Sequence, residues 1–75
     1  MEQYANKNND SGISSYQIGN DYIWVGFKQG GVYEYTHASA GAANVEKMTS
    51  LARSGSGLNS FINTYVKNRY FRKIR

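Results

Sequence analysis

Apolar and polar residues alternate from Ile13 to Tyr35, and beyond that the apolar residues recur every three or four positions as far as Val66. A period of two belongs to a strand with one buried face, and a period near 3.6 to an amphipathic helix. The chain therefore divides into a sheet-forming half and a helical half. Residues 13–18 place Ile13, Ser15 and Gln17 on one side and Ser14, Tyr16 and Ile18 on the other, so a first strand is expected with Tyr16 and Ile18 facing inward. Gly19-Asn20-Asp21 supplies a turn. The run Tyr22-Ile23-Trp24-Val25-Gly26-Phe27 is rich in aromatic and β-branched residues and reads as a second strand.

Turn length then decides which face Tyr33 and Tyr35 occupy. A three-residue loop, Gln29-Gly30-Gly31, would pair Phe27 with Tyr33 and Val25 with Tyr35. A two-residue turn, Gln29-Gly30, would put both tyrosines on the Trp24 face. Two successive glycines favour the longer loop, whose last residue needs a positive backbone angle. Ile23, Val25, Phe27, Tyr33 and Tyr35 then form the face to be covered, and Tyr22, Trp24, Val32 and Glu34 the face left to solvent.

Past Thr36-His37-Ala38, Ser39 is the expected N-cap of a helix whose buried stripe is Val45, Met48, Leu51 and Ala52. Ser54-Gly55-Ser56-Gly57 breaks it. That run reads as a helix–helix connector; as a phosphate cradle it lacks the lysine and hydroxyl of a P-loop. A second helix is expected from about Leu58, with Phe61, Ile62, Tyr65, Val66 and Arg69 on its stripe. The expected fold is α+β, a three-stranded antiparallel β-sheet packed on one face by two C-terminal helices. Residues 1–12 form a flexible N-terminal arm, 13–71 the domain and 72–75 a basic C-terminal tail.

Composition sharpens this picture in three respects. A chain of 75 residues allows one domain, which on folding hides only about 60% of its surface from water. Without cysteine, a thin core must be built from rings and aliphatics. Seven Tyr, three Phe and one Trp are enough that some rings are expected at the surface, because a tyrosine hydroxyl needs a partner. No apolar run of membrane-spanning length and no signal-peptide pattern occurs, so no membrane partner and a cytoplasmic location are expected.

Charge is distributed unevenly. Residues 1–46 carry Lys7 and Lys28 against Glu2, Asp10, Asp21, Glu34 and Glu46, a net −3. Residues 47–75 carry Lys47, Arg53, Lys67, Arg69, Arg72, Lys73 and Arg75 with no acid, a net +7. The basic end calls for an anionic partner or else serves as a solvated helix end. Rings on a rigid sheet are what single strands of nucleic acid stack on, so Tyr22 and Trp24 are candidate stacking residues. Lys67, Arg69, Arg72, Lys73 and Arg75 are the candidate phosphate contacts. The other reading of the Trp24 face is a surface shielded by the arm or by a second subunit. Chemistry is poorly provided for: His37 is the only histidine, and neither a nucleophile motif nor a metal-ligand spacing is present. No catalytic, metal or cofactor site is expected.

The order of these features resembles the KTSC domain, a small bacterial family named for its place at the C-terminus of some lysyl-tRNA synthetases and found also as a free-standing protein. The resemblance spans residues 11–71. It rests on Ile23-x-Val25-x-Phe27, on Gly30 followed by Tyr33-Glu34-Tyr35, on Ala52-x-Ser54 with its glycines, and on Ile62-Asn63-x-x-Val66-Lys67-x-x-Tyr70. The chain departs from the family pattern in having no proline before the first helix and a longer connector around Gly57-Leu58-Asn59-Ser60. What the resemblance implies is a small α+β domain with RNA binding as its suggested role and no catalytic residues. The expected protein is thus a non-enzymatic binding module, monomeric or weakly dimeric, for RNA or other nucleic acid. The alternative is a protein-interaction or self-assembly module using the Trp24 face.

Overall fold

The computed structural model describes residues 1–7 and 12–75. Its strands are β1 (Glu2–Gln3), β2 (Ile13–Ile18), β3 (Tyr22–Phe27), β4 (Gly31–Thr36) and β5 (Arg72–Lys73), joined in that order into one antiparallel sheet. Helices α1 (His37–Ala40), α2 (Ala42–Ser54) and α3 (Leu58–Phe61) lie between β4 and β5, and α3 runs on into a π-helical turn, Ile62–Val66. The α+β class is as expected, but the sheet has five strands rather than three. The two additions are two-residue edge strands, too short to show any period in the sequence.

Both additions recruit segments expected to be loose. Of the expected N-terminal arm, residues 8–11 lie outside the described residues. Glu2 and Gln3 pair with Tyr16 and Ser15, and Tyr4 is 3% exposed within the core, its hydroxyl accepting the Leu58 N–H at 3.3 Å. The basic tail pairs with β4 through Arg72 and Lys73, and the Ile74 N–H donates to the Val32 carbonyl.

The two central strands have the expected bounds, but β2 turns its residues differently. Ile13, assigned to the outer side by simple alternation, is fully buried beside Tyr16 in the core. A bulge between Ile13 and Ser15 supplies the reason, because one extra residue reverses the facing of everything before it.

At the hairpin, Phe27 pairs with Gly31, Val25 with Tyr33 and Ile23 with Tyr35. The loop does have three residues, but they are Lys28, Gln29 and Gly30, and Gly31 (φ 84°) is the residue in the left-handed region. This register differs by two from the expected one. A shift of two preserves facing, so Ile23, Val25, Phe27, Tyr33 and Tyr35 still share the inner face.

Helix α2 lies against β3 and β4 and buries Val45, Met48 and Ala52, with Leu51 at the margin. The cap precedes the expected one. Thr36 caps α1 and exchanges hydrogen bonds with Ser39, which is the fourth member of a capping box rather than the N-cap. In the last helical segment Leu58, Ile62 and Val66 are buried, whereas Tyr65 and Arg69 point to solvent. The π turn widens the spacing of the stripe to four, and the Lys67 N–H closes it on the Ile62 carbonyl at 2.6 Å.

Candidate functional site

The helices cover the inner face only in part. Where β3 and β4 approach their hairpin, Phe27, Tyr33 and Tyr35 form one side of an open cleft of about 500 Å³, and Ile62, Asn63, Lys67, Asn68 and Tyr70 form the other. Its position follows from the π turn, since a continuing α-helix would carry residues 67–70 onward along the sheet instead of letting the chain turn back over Tyr33. The Tyr33 ring lies 4.7 Å from that of Tyr70 and 5.8 Å from that of Phe27, the latter edge-on. Tyr35 meets Tyr70 at 6.3 Å, also edge-on.

The charged residues lining the cleft are Lys28 and Lys67, and the Lys73 ammonium lies 5.7 Å from the centre of the Tyr33 ring. Among the described residues none that lines the cleft is an acid. Tyr35 is 2% exposed, and burial, reinforced by the neighbouring Tyr33 and Tyr70 phenols, pushes its hydroxyl up to about 12. It therefore stays protonated and able to donate. Among the described residues no protein group hydrogen-bonds to it and no buried side-chain polar atom lacks a partner, so the hydroxyl is open to the cleft.

The outer face carries a different set of groups. Gln17, Trp24, Glu34 and Arg72 stand in one row across four strands. Trp24 Nε1 donates to Glu34 Oε2 at 3.0 Å, and Arg72 Nε donates to Glu34 Oε1 at 2.7 Å. Burial raises the Glu34 carboxyl, but the Trp24 and Arg72 hydrogen bonds and the Arg72 charge outweigh it and hold the group below its ordinary value. Tyr22 packs its ring 5.9 Å from that of Trp24. The expectation that all four outer residues meet solvent needs correction: Val32 and Glu34 are buried, and Tyr22 and Trp24 half-buried. The C-terminal strand accounts for much of this, because it lies beside β4 and brings Arg72 onto Glu34.

The candidate binding residues thus fall on two faces instead of one. Tyr22, Trp24 and Arg72 are on the outer face, whereas Lys67 and Lys73 belong to the cleft side. Arg69 and Arg75 are exposed; the Arg69 N–H is bonded to the Val66 carbonyl and the Arg75 carbonyl accepts the Val32 N–H. Lys28, Asn63, Asn68 and Tyr70 join the site without having been expected as binding residues. Asn63 and Tyr70 had a signal in the motif Ile62-Asn63-x-x-Val66-Lys67-x-x-Tyr70, but Lys28 and Asn68 had none, because their convergence depends on the hairpin tip and the π turn coming together.

A second, polar cleft of about 410 Å³ opens between the β2–β3 turn and α2, with His37, Glu46, Thr49, Ser50 and Arg53 on its walls. No hydrogen bond or ion pair joins His37 to Glu46, so no acid–base pair is assembled there. Among the described residues no group of three His, Asp or Glu could hold a metal ion, and no helix is long and apolar enough to cross a membrane.

Fold and site together define an α+β domain with an antiparallel sheet, helices and a ring-lined cleft of basic character. Comparison with known protein families, with curated proteins and with solved structures finds no match for this chain.

Proposed function

We propose that the protein is a non-enzymatic module that binds single-stranded nucleic acid, RNA foremost, and that it is related to the KTSC domain through the motifs around Tyr33-Glu34-Tyr35. The observation that carries this reading is the cleft, whose walls combine aromatic rings with Lys28 and Lys67 and, among the described residues, no acid, and beside which Lys73 stands over Tyr33. Rings give a base something to stack on and lysines neutralise the phosphates either side, which is the usual division of labour at single-strand sites. The outer face suits this role less well. Its carboxylate occupies both the Trp24 N–H and the Arg72 guanidinium, so that a phosphate arriving there would have to displace Glu34.

Fluorescence anisotropy with a short single-stranded RNA at about 50 and about 200 mM salt tests the reading. Three phosphate contacts would weaken binding ~20-fold over that interval. Lys28→Glu with Lys67→Glu should weaken it further at low salt. No binding at about 100 µM RNA in low salt would rule the function out, since even nonspecific contact reaches that range.

A second reading rests on the outer face, where Tyr22 and Trp24 pack together and are only half-buried. It makes that face a protein-binding or self-associating surface. A mass in light scattering that rises with concentration, and that Trp24→Ala abolishes while the fold persists, would favour it.

A further inference from the structure

We infer that the cleft between the hairpin and the π turn is a seat for one unstacked nucleobase, with the Tyr35 hydroxyl at its floor as the group that reads the base. This rests on the nucleic-acid reading above and adds to it a place, a stoichiometry and a specificity element. Tyr35 is only 2% exposed as a residue, yet its hydroxyl has no hydrogen bond to a protein group and, since no buried side-chain polar atom among the described residues lacks a partner, it is open to the cleft that the residue lines. Tyr4, the comparably buried tyrosine, has its oxygen occupied by the Leu58 N–H. At Tyr35 the partner is whatever occupies the cleft, solvent in the free protein and a ligand's polar edge in a complex.

Size and chemistry limit what that can be. About 500 Å³ suits one nucleotide and not a duplex, whose bases are stacked out of reach. Tyr70, 39% exposed, offers ring surface at the mouth. The Asn63 and Asn68 amides, each able to donate and accept, carry no hydrogen bond to the protein and stand on the wall where a base edge would pass. Lys28 and Lys67, which both line the cleft, would meet the phosphates flanking the seated base. A phenol that remains protonated donates to a carbonyl or ring nitrogen, so the seat favours bases that present an acceptor inward.

The test compares wild type, Tyr35→Phe and Tyr70→Ala for binding to single-stranded homopolymers of the four ribonucleotides and to duplex RNA, with circular dichroism melts as the folding control. Tyr35→Phe should melt no lower than wild type, since it removes only an unpaired hydroxyl. It should narrow the affinity differences among the homopolymers and leave the salt dependence unchanged. Tyr70→Ala should weaken all single strands about tenfold, as loss of one stacked base does. Nucleoside monophosphates titrated into nitrogen-labelled protein should move the amide signals of Gly30, Asn63 and Asn68. If single strands bind wild type with salt dependence but neither variant differs from it, the seat is wrong and the nucleic-acid reading stands. Duplex RNA binding as tightly as single strands would also remove the seat. If no nucleic acid binds wild type, both fall together.

Discussion

Glu34 keeps its charge on a face of β4 where only 7% of the residue meets solvent, and two donors, the Trp24 indole and the Arg72 guanidinium, make that possible. Its carboxyl titrates below the ordinary value of 4.5, so between that value and the native one the unfolded chain binds more protons than the folded one. The stabilisation is therefore complete above about pH 4.5 and is lost as the pH falls through the native value. Glu34→Gln keeps an acceptor for the indole but gives up the ionic partner of Arg72. Urea unfolding should show a loss of about 1–2 kcal/mol at pH 7 and a smaller difference between pH 7 and pH 3 than in wild type. An unchanged acid limb would mean that Glu34 is not held in its charged form by these partners.

At the scale of elements, Gly31 is where the hairpin and the C-terminal strand depend on one residue. Its backbone is left-handed at φ 84°, and a Cβ there would run into the Arg75 carbonyl and crowd the Lys73 side chain. Gly31→Ala should cost about 1–2 kcal/mol from the backbone alone and loosen β5 besides. Amide exchange of Phe71 and Ile74, whose N–H groups bond to Glu34 and Val32, should accelerate before that of β2 and β3. Gly30→Ala is the comparison: it has no positive φ and its Cβ would meet only the Phe27 side chain, at 3.3 Å, so it should cost less than Gly31→Ala and leave the exchange of Phe71 and Ile74 unchanged.

Legibility followed the length of each pattern. Six alternating residues located β2 and β3 to the residue, and Val45, Met48 and Ala52 located α2's buried stripe. A bulge at Ser14 and a π turn at 62–66 leave no mark that simple periods can detect, so the facing of Ile13 and the course of Tyr65 and Arg69 were not readable. Similarly, the basic residues were visible as charge. Which face each would reach was not, because that depends on β5 docking with alternate residues pointing to opposite sides.

For the molecule as a whole, the N-terminal segment is part of the core. Tyr4 joins the cluster of Ile13, Tyr16, Leu58 and their neighbours and places its hydroxyl at the start of α3. In a domain whose total stability is about 5–15 kcal/mol, Tyr4→Ala should remove about 3–5 kcal/mol, and Tyr4→Phe only about 1 kcal/mol. Thermal unfolding of the two variants measures both. A melting point insensitive to Tyr4→Ala would restore the loose arm.

The edge strands have a further consequence, for association between copies. A sheet ends in rows of unpaired backbone groups that invite another chain to add itself, and long flat edges are where fibrils begin. Here the outermost strands are two residues each, Glu2-Gln3 on one side and Arg72-Lys73 on the other, all four exposed. β4, with its apolar and aromatic residues, is kept from becoming such an edge by a basic dipeptide laid along it. Lys73, one of the cations proposed to face a polyanion, therefore also guards the sheet, with Arg72, against growing into its neighbours.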